Sequence, residues 1–139
     1  MEDGGARDAG GAGGAGITVG IDLVEPERIR EAAERWGAPF LDRLFTPEER
    51  AYCDAMADPW PHYAARFAAK EAFGKALGTG LRGIHWRDVA VARDADGRPT
   101  LRIAWPVGLP PRAASVSLTH ARSVAGAVVL LMPVPTSCR

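Results

Sequence analysis

Between residues 66 and 75 the chain reads Arg-Phe-Ala-Ala-Lys-Glu-Ala-Phe-Gly-Lys, a short stretch holding Arg66, Lys70, Glu71 and Lys75. Three cations around one carboxylate suit chemistry on phosphate groups. The Ala-rich surroundings favour a helix, on which Arg66 lies four residues from Lys70 and Glu71 four from Lys75, so each pair shares one stretch of surface. The same pattern also describes an ordinary salt-bridged helix face, whose ion pairs are individually weak. Asp22 and His120 widen the candidate site. Asp22 comes at the end of an apolar run, where an ionised carboxylate is costly unless it caps a helix, pairs with a cation or binds a metal. His120 ends the segment Ser115-Val116-Ser117-Leu118-Thr119-His120 at a turn; a lone histidine in such a place is more often a satisfied residue than a ligand. Asp22 and Glu71, from separate elements and with few histidines nearby, favour a hard cation such as magnesium, which completes its shell with water and substrate phosphates.

Common motifs do not account for these residues. Gly74-Lys75-Ala76-Leu77-Gly78-Thr79-Gly80 has glycines and a lysine in the wrong order for a Walker loop. There is no Gly-x-Ser-x-Gly elbow, no His-Glu-x-x-His helix and no Cys-x-x-Cys pair.

The elements that must position the candidates follow from local signals. Residues 17–23 are short, apolar and rich in β-branched side chains, which predicts a strand with Asp22 near its end. Pro26–Trp36 reads as a helix opened by Pro26 and stopped by Gly37 and Pro39. Thr46-Pro47-Glu48-Glu49 is a capping box for a second helix running to about residue 56. Asp58-Pro59-Trp60-Pro61 breaks it, and a central helix over 62–77 carries the charged stretch. Its predicted apolar face is Ala65, Ala69, Ala72, Phe73, Ala76 and Leu77, with Gly78 and Gly80 as the stop. The second half reads as strands: 89–92 and 100–105 around the turn Asp94-Ala95-Asp96-Gly97, then 114–119 and 124–132. Helices first and antiparallel strands later predict an α+β fold.

Length and composition set the limits. The 139 residues suit one domain, with residues 17–132 as its body, a disordered Gly/Ala-rich tail over 1–16 and a short tail over 133–139. The 17 basic and 17 acidic side chains cancel, so no global field draws nucleic acid or an anionic membrane, and recognition must be local. Cys53 and Cys138 fit neither a disulfide framework nor a metal spacing, which predicts a reducing cytoplasm. Residues 1–16 lack the apolar core of a signal peptide. The apolar run over 124–134 has about half the length needed to span a bilayer.

Four segments in one order carry a family resemblance. They are Gly20-Ile21-Asp22-Leu23-Val24-Glu25 with Arg28, Phe45-Thr46-Pro47-Glu48-Glu49, the stretch from Arg66 through Gly80, and Ser115 through His120. Together, and with Gly97-Arg98-Pro99 in the hairpin, they resemble holo-acyl-carrier-protein synthase, the small bacterial type of 4′-phosphopantetheinyl transferase. The resemblance spans about residues 17–132. It implies the transferase fold, an antiparallel sheet packed with a long central helix and shorter helices. It also implies transfer of the phosphopantetheine arm of coenzyme A to a serine of an apo acyl carrier protein, with release of adenosine 3′,5′-bisphosphate.

The attacked group would be a pyrophosphate, so catalysis would consist largely of charge neutralisation and in-line positioning. By family match Asp22 and Glu71 hold magnesium, and Lys75 faces the same phosphates. Arg66, Lys70 and His120 are expected to bind coenzyme A, with Arg66 and His120 serving its 3′-phosphate. Glu71, directly or through water, is the expected base. Arg28 is the expected contact for the acidic carrier protein, with Arg35 on the same helix stripe. The family implies a homotrimer with coenzyme A clefts between subunits. One departure is Ala121, where several members carry a polar or acidic residue. Two other readings use the same residues: a magnesium-dependent nucleotide pyrophosphate hydrolase, and a non-catalytic module that binds coenzyme A or a carrier protein.

Overall fold

The computed structural model describes residues 16–135. Of the expected tails over 1–16 and 133–139, residues 1–15 and 136–139, with Cys138, lie outside the described residues. Among the described residues the elements run β1 (Thr18–Val24), α1 (Pro26–Trp36), α2 (Ala38–Leu44), α3 (Pro47–Asp54) and α4 (Trp60–Leu77). One 3₁₀ turn at Trp86–Asp88 leads into β2 (Val89–Arg93), β3 (Pro99–Ile103), β4 (Ala113–His120) and β5 (Ala125–Met132). The strands form an antiparallel three-stranded sheet in the order β1-β5-β4 and a separate β2-β3 hairpin. The fold is α+β, as the order of elements predicts.

Three local signals act as expected. Thr46 accepts from the Glu49 backbone N–H while the Glu49 carboxylate accepts from the Thr46 N–H, so the capping box of α3 is complete. Gly78 ends α4 in the left-handed region that glycine tolerates, at φ 83°. In the hairpin turn the Asp94 carboxylate accepts the N–H groups of Asp96 and Arg98.

Helix α2 was not expected, because Gly37 and Pro39 together read as a stop. Gly37, at φ 73°, ends α1 and serves as the N-cap position of α2. Pro39 falls in the first turn of α2, where a missing N–H costs nothing. Leu41 and Leu44 then fill a core cluster with Ile29, Phe45, Tyr63 and Ala65.

Helix α4 is the axis of the molecule. One cluster packs its Ala69, Ala72, Phe73 and Ala76 against Ala127, Val129 and Leu131 of β5 and against Val89 and Val91 of β2. The other packs Tyr63, Ala64 and Ala65 under α1 and α2. Residues from both clusters ring α4, so it is buried on far more than the predicted stripe, and Leu77 at its end is only half-buried. Small side chains make this possible, because they let backbones approach from several sides. The closest approach is at Gly20 of β1, where an added Cβ would lie 1.8 Å from the Ala72 carbonyl oxygen. No side chain larger than hydrogen fits there.

Candidate active site

Asp22 sits opposite Ala127 in the β1–β5 register, and directly paired residues put their side chains on one face of a sheet. Ala127 is buried against α4, so Asp22 is turned toward that helix. The tight contact at Gly20, two residues earlier on the same face, holds this part of β1 on α4. Lys75 Nζ lies 3.4 Å from Asp22 Oδ1, with side-chain exposures of 40% and 18%. The N-cap position of α1 is Glu25, which excludes Asp22 as the cap of that helix.

Glu71, one helical turn before Lys75, is half-buried. Burial raises its carboxyl above the ordinary range, the nearby Asp22 charge raises it further, and Lys75 partly offsets both. Two carboxylates therefore press on each other across the β1–α4 contact, beside one ammonium. This donor set fits magnesium, which commonly takes one or two protein carboxylates and leaves its other positions to water and phosphate oxygens. A cation there would relieve the repulsion that raises Glu71.

A second group of candidates lies toward the start of α4. Arg66 is 2% exposed. Its guanidinium stands 4.1 Å from the Tyr52 ring centre, and one of its N–H groups donates to the His62 carbonyl at 3.3 Å. The buried Nε of Arg66 has no hydrogen-bond partner. Arg93 approaches the same Tyr52 ring to 4.6 Å. A cavity of about 440 Å³ opens here, lined by Tyr52, Arg66, Arg93 and Arg102 among others. Three arginines around one opening, one with an unsatisfied buried N–H, form a site for an anion.

His120 reaches this region from β4, its ring centre 5.5 Å from that of His62. Burial holds His62 below its ordinary value, and Arg66, His120 and Arg93 push in the same direction. His62 is therefore neutral near pH 7 and is available as a single donor or acceptor. Tyr52, His62, Arg93 and Arg102 were not singled out in the sequence. Only His62 left a readable signal there, since it stands one helical turn before Arg66.

Lys70 departs from expectation. It is fully buried, and its ammonium donates to Glu49 Oε1 at 2.8 Å and to the carbonyls of Trp86 and Val89 at 2.9 and 2.7 Å. All three N–H donors are used inside the protein, so Lys70 has none left for a phosphate. Burial lowers its affinity for a proton, while the Glu49 carboxylate opposes that shift. The structure thus separates four residues that look alike in the sequence: Glu71 and Lys75 join Asp22, Arg66 faces the arginine cavity, and Lys70 belongs to the core.

On α1, Arg28 and Arg35 are exposed, and Arg35 lies 5.0 Å from the ring centre of exposed Trp36. Glu27, Glu31 and Glu34 dilute this basic stripe by sequence, yet Glu27 and Glu34 both pair with Arg30. Glu31 is then the acidic residue of the helix interior outside that cluster.

A carboxylate pair with a lysine toward one end of α4, and an arginine cavity toward the other, offer charges suited to a polyanionic ligand. Residues 18–129 match the ACPS model of the 4′-phosphopantetheinyl transferase superfamily. The chain belongs to that superfamily. It is 44% identical over 121 residues to a holo-[acyl-carrier-protein] synthase of Koribacter versatilis, covering 83% of this chain and 97% of that protein. The holo-(acyl-carrier-protein) synthase of Bacillus anthracis in complex with CoA (3′,5′-ADP) superposes with a TM-score of 0.74 at 31% identity, over 86% of this chain and 100% of that one. The ACPS–CoA complex of Chronobacterium ammoniagenes gives a TM-score of 0.73 at 28% identity, over 87% of this chain and 100% of that one.

Proposed function

We propose that this chain is a holo-acyl-carrier-protein synthase, which moves the 4′-phosphopantetheine arm of coenzyme A onto a serine of an apo acyl carrier protein. The observation that carries this reading is the Asp22–Glu71–Lys75 cluster, set within a chain whose family match spans residues 18–129. The serine oxygen attacks the phosphorus that bears pantetheine. The bond from that phosphorus to the bridging oxygen breaks, and adenosine 3′,5′-bisphosphate leaves with that oxygen.

Asp22 and Glu71 would hold magnesium, which supplies charge neutralisation on the pyrophosphate. Lys75 places a positive charge beside the same group, where negative charge grows on the leaving phosphate. Glu71, whose carboxyl burial raises, would take the serine proton directly or through water. Arg66 binds the 3′-phosphate, with Arg93 and Arg102 on the walls of the same cavity, and His120 serves the same group from beside His62. Placing the nucleotide there sets the pyrophosphate for in-line displacement. Arg28 on α1 meets the acidic carrier protein.

Self-association into a homotrimer is part of this reading. Val19, Ile21 and Leu23 of β1 are each about 60% exposed or more, beside Leu130 of β5 on the same open sheet face. A second copy of the chain would cover this apolar surface, as exposed apolar patches commonly mark interfaces. Among the described residues no helix is long and apolar enough to cross a membrane. A reducing cytoplasm suits buried Cys53, whose thiol burial pushes up to about 12.

Mass spectrometry of an apo carrier protein, incubated with this chain, coenzyme A and magnesium, tests the proposal. The expected result is a mass gain of one phosphopantetheine on a serine. No gain across several carriers would overturn it, and phosphopantetheine released without an acceptor would establish hydrolysis instead.

A further inference from the structure

The buried Glu49–Lys70 pair takes no part in the chemistry just described, yet it joins the α3, α4 and β2 walls of the arginine cavity. Glu49 lies on α3, one turn before Tyr52. Its Oε1 accepts from Lys70 Nζ on α4 and from the Thr46 N–H, and its Oε2 accepts from the Val91 N–H on β2 at 3.1 Å. Lys70, one turn beyond Arg66, also grips the carbonyls of Trp86 and Val89, which lead into β2. The cavity is lined from α3 and its cap by Thr46, Glu48 and Tyr52, from α4 by Arg66, and from β2 by Val91 and Arg93, with Arg102 of β3 closing the remaining side. Two guanidinium groups thus approach one tyrosine ring from elements tied together by a single ion pair. Crowding cations in this way is unfavourable unless the frame is rigid or an anion arrives between them.

We propose that Glu49 and Lys70 are positioning residues for the 3′-phosphate of coenzyme A: by fixing β2 and α3 to α4, they set the spacing of Arg66, Tyr52 and Arg93. This inference rests on the transferase reading. Removing one partner leaves the other buried and uncompensated, whereas removing both is often tolerated, so the double variant is the informative one. Loss of the pair frees α3 and β2 to shift by a fraction of an ångström or more, and misplacement on that scale weakens binding or catalysis by up to about a hundred-fold.

The test compares coenzyme A with dephospho-coenzyme A, which lacks the 3′-phosphate, on Glu49→Gln and on Glu49→Gln/Lys70→Met. The expected result is a rise of roughly ten-fold or more in KM for coenzyme A, with kcat at saturation near the parent value. The KM for dephospho-coenzyme A should move little, because its binding does not use the cavity. A purely structural pair would change both substrates alike or lower only the melting temperature, and either result overturns the proposal. If the parent binds coenzyme A but modifies no carrier, the transferase reading fails alone, and calorimetric affinities for the same two ligands replace KM. A third measurement uses the unaltered chain. Amide hydrogen exchange at Thr46 and Val91, which donate to Glu49, should slow with coenzyme A and not with dephospho-coenzyme A. Equal exchange with both would overturn the proposal even where neither variant folds.

Discussion

Helix α4 carries two lysine–carboxylate pairs within about a turn and a half, and they serve opposite ends. Lys70 meets Glu49 at 2.8 Å with no solvent exposure on either side chain, and two backbone carbonyls take its remaining protons. Lys75 meets Asp22 at 3.4 Å, partly open to solvent, with a second carboxylate, Glu71, raised beside it. The difference lies in burial rather than in residue type. A buried charge is tolerable only when its hydrogen bonds are complete, and a complete set leaves nothing for a ligand. The open pair stays partly accessible to solvent, where a cation and a pyrophosphate can reach it.

Removing charge from each pair sharpens this contrast. The largest effect is expected from Glu71→Gln, which takes a carboxylate from the open cluster without changing side-chain volume. Transfer to the carrier should fall by about a thousand-fold, roughly 4 kcal/mol, while the melting temperature stays near that of the parent. Full retained activity, measured by carrier mass, would remove Glu71 from the mechanism. Lys70→Met should do the reverse. Urea denaturation should show a loss of about 3–5 kcal/mol, because Glu49 is left buried and unpaired. A loss below 1 kcal/mol would mean that the buried pair is no more than a surface-like contact.

Lys75→Gln should lower kcat by about a hundred-fold with stability nearly unchanged, and a stability loss matching that of Lys70→Met would erase the distinction between the pairs. Acid should act on the open pair next. The Glu71 carboxyl is raised above its ordinary 4.5, so the folded state holds its proton more tightly than the unfolded chain does. Stability is lost as pH rises from the ordinary value through the raised one, while magnesium affinity is gained over the same window as the proton leaves. Calorimetric titration with magnesium should show affinity falling about ten-fold per pH unit below the Glu71 titration, and a flat profile would exclude Glu71 as a ligand. The smallest effect is expected at the periphery. Arg28→Glu should raise KM for the carrier about several-fold, increasingly at low salt, and leave KM for coenzyme A alone. An unchanged carrier KM would move the docking surface off α1.

Much of the fold was legible in the sequence because its signals act over a few residues. The Thr46–Glu49 box, the Asp94–Gly97 turn and the glycine after Leu77 each satisfy or release backbone groups close by, and each appears where the spacing predicts. Helix α2 was missed because a glycine followed by a proline signals both the end of one helix and the first turn of the next. The choice between them rests on Leu41 and Leu44 finding a core, which involves residues far along the chain. The arginine cavity was only partly legible: Arg66 stood in a recognisable segment, whereas Tyr52, Arg93 and Arg102 come from α3, β2 and β3.

The sequence by itself determined the order of the strands and of every helix but α2, the family, and the residues Asp22, Glu71 and Lys75 as candidates for one site. It did so because local periodicity, capping and motif order do not depend on distant contacts. Only the tertiary structure decided what each charge does. Lys70 and Lys75 differ in the sequence by five positions and little else, but a helix turns Lys70 inward to Glu49 and leaves Lys75 at the β1 edge beside Asp22. Burial made one lysine part of the frame and left the other part of the site.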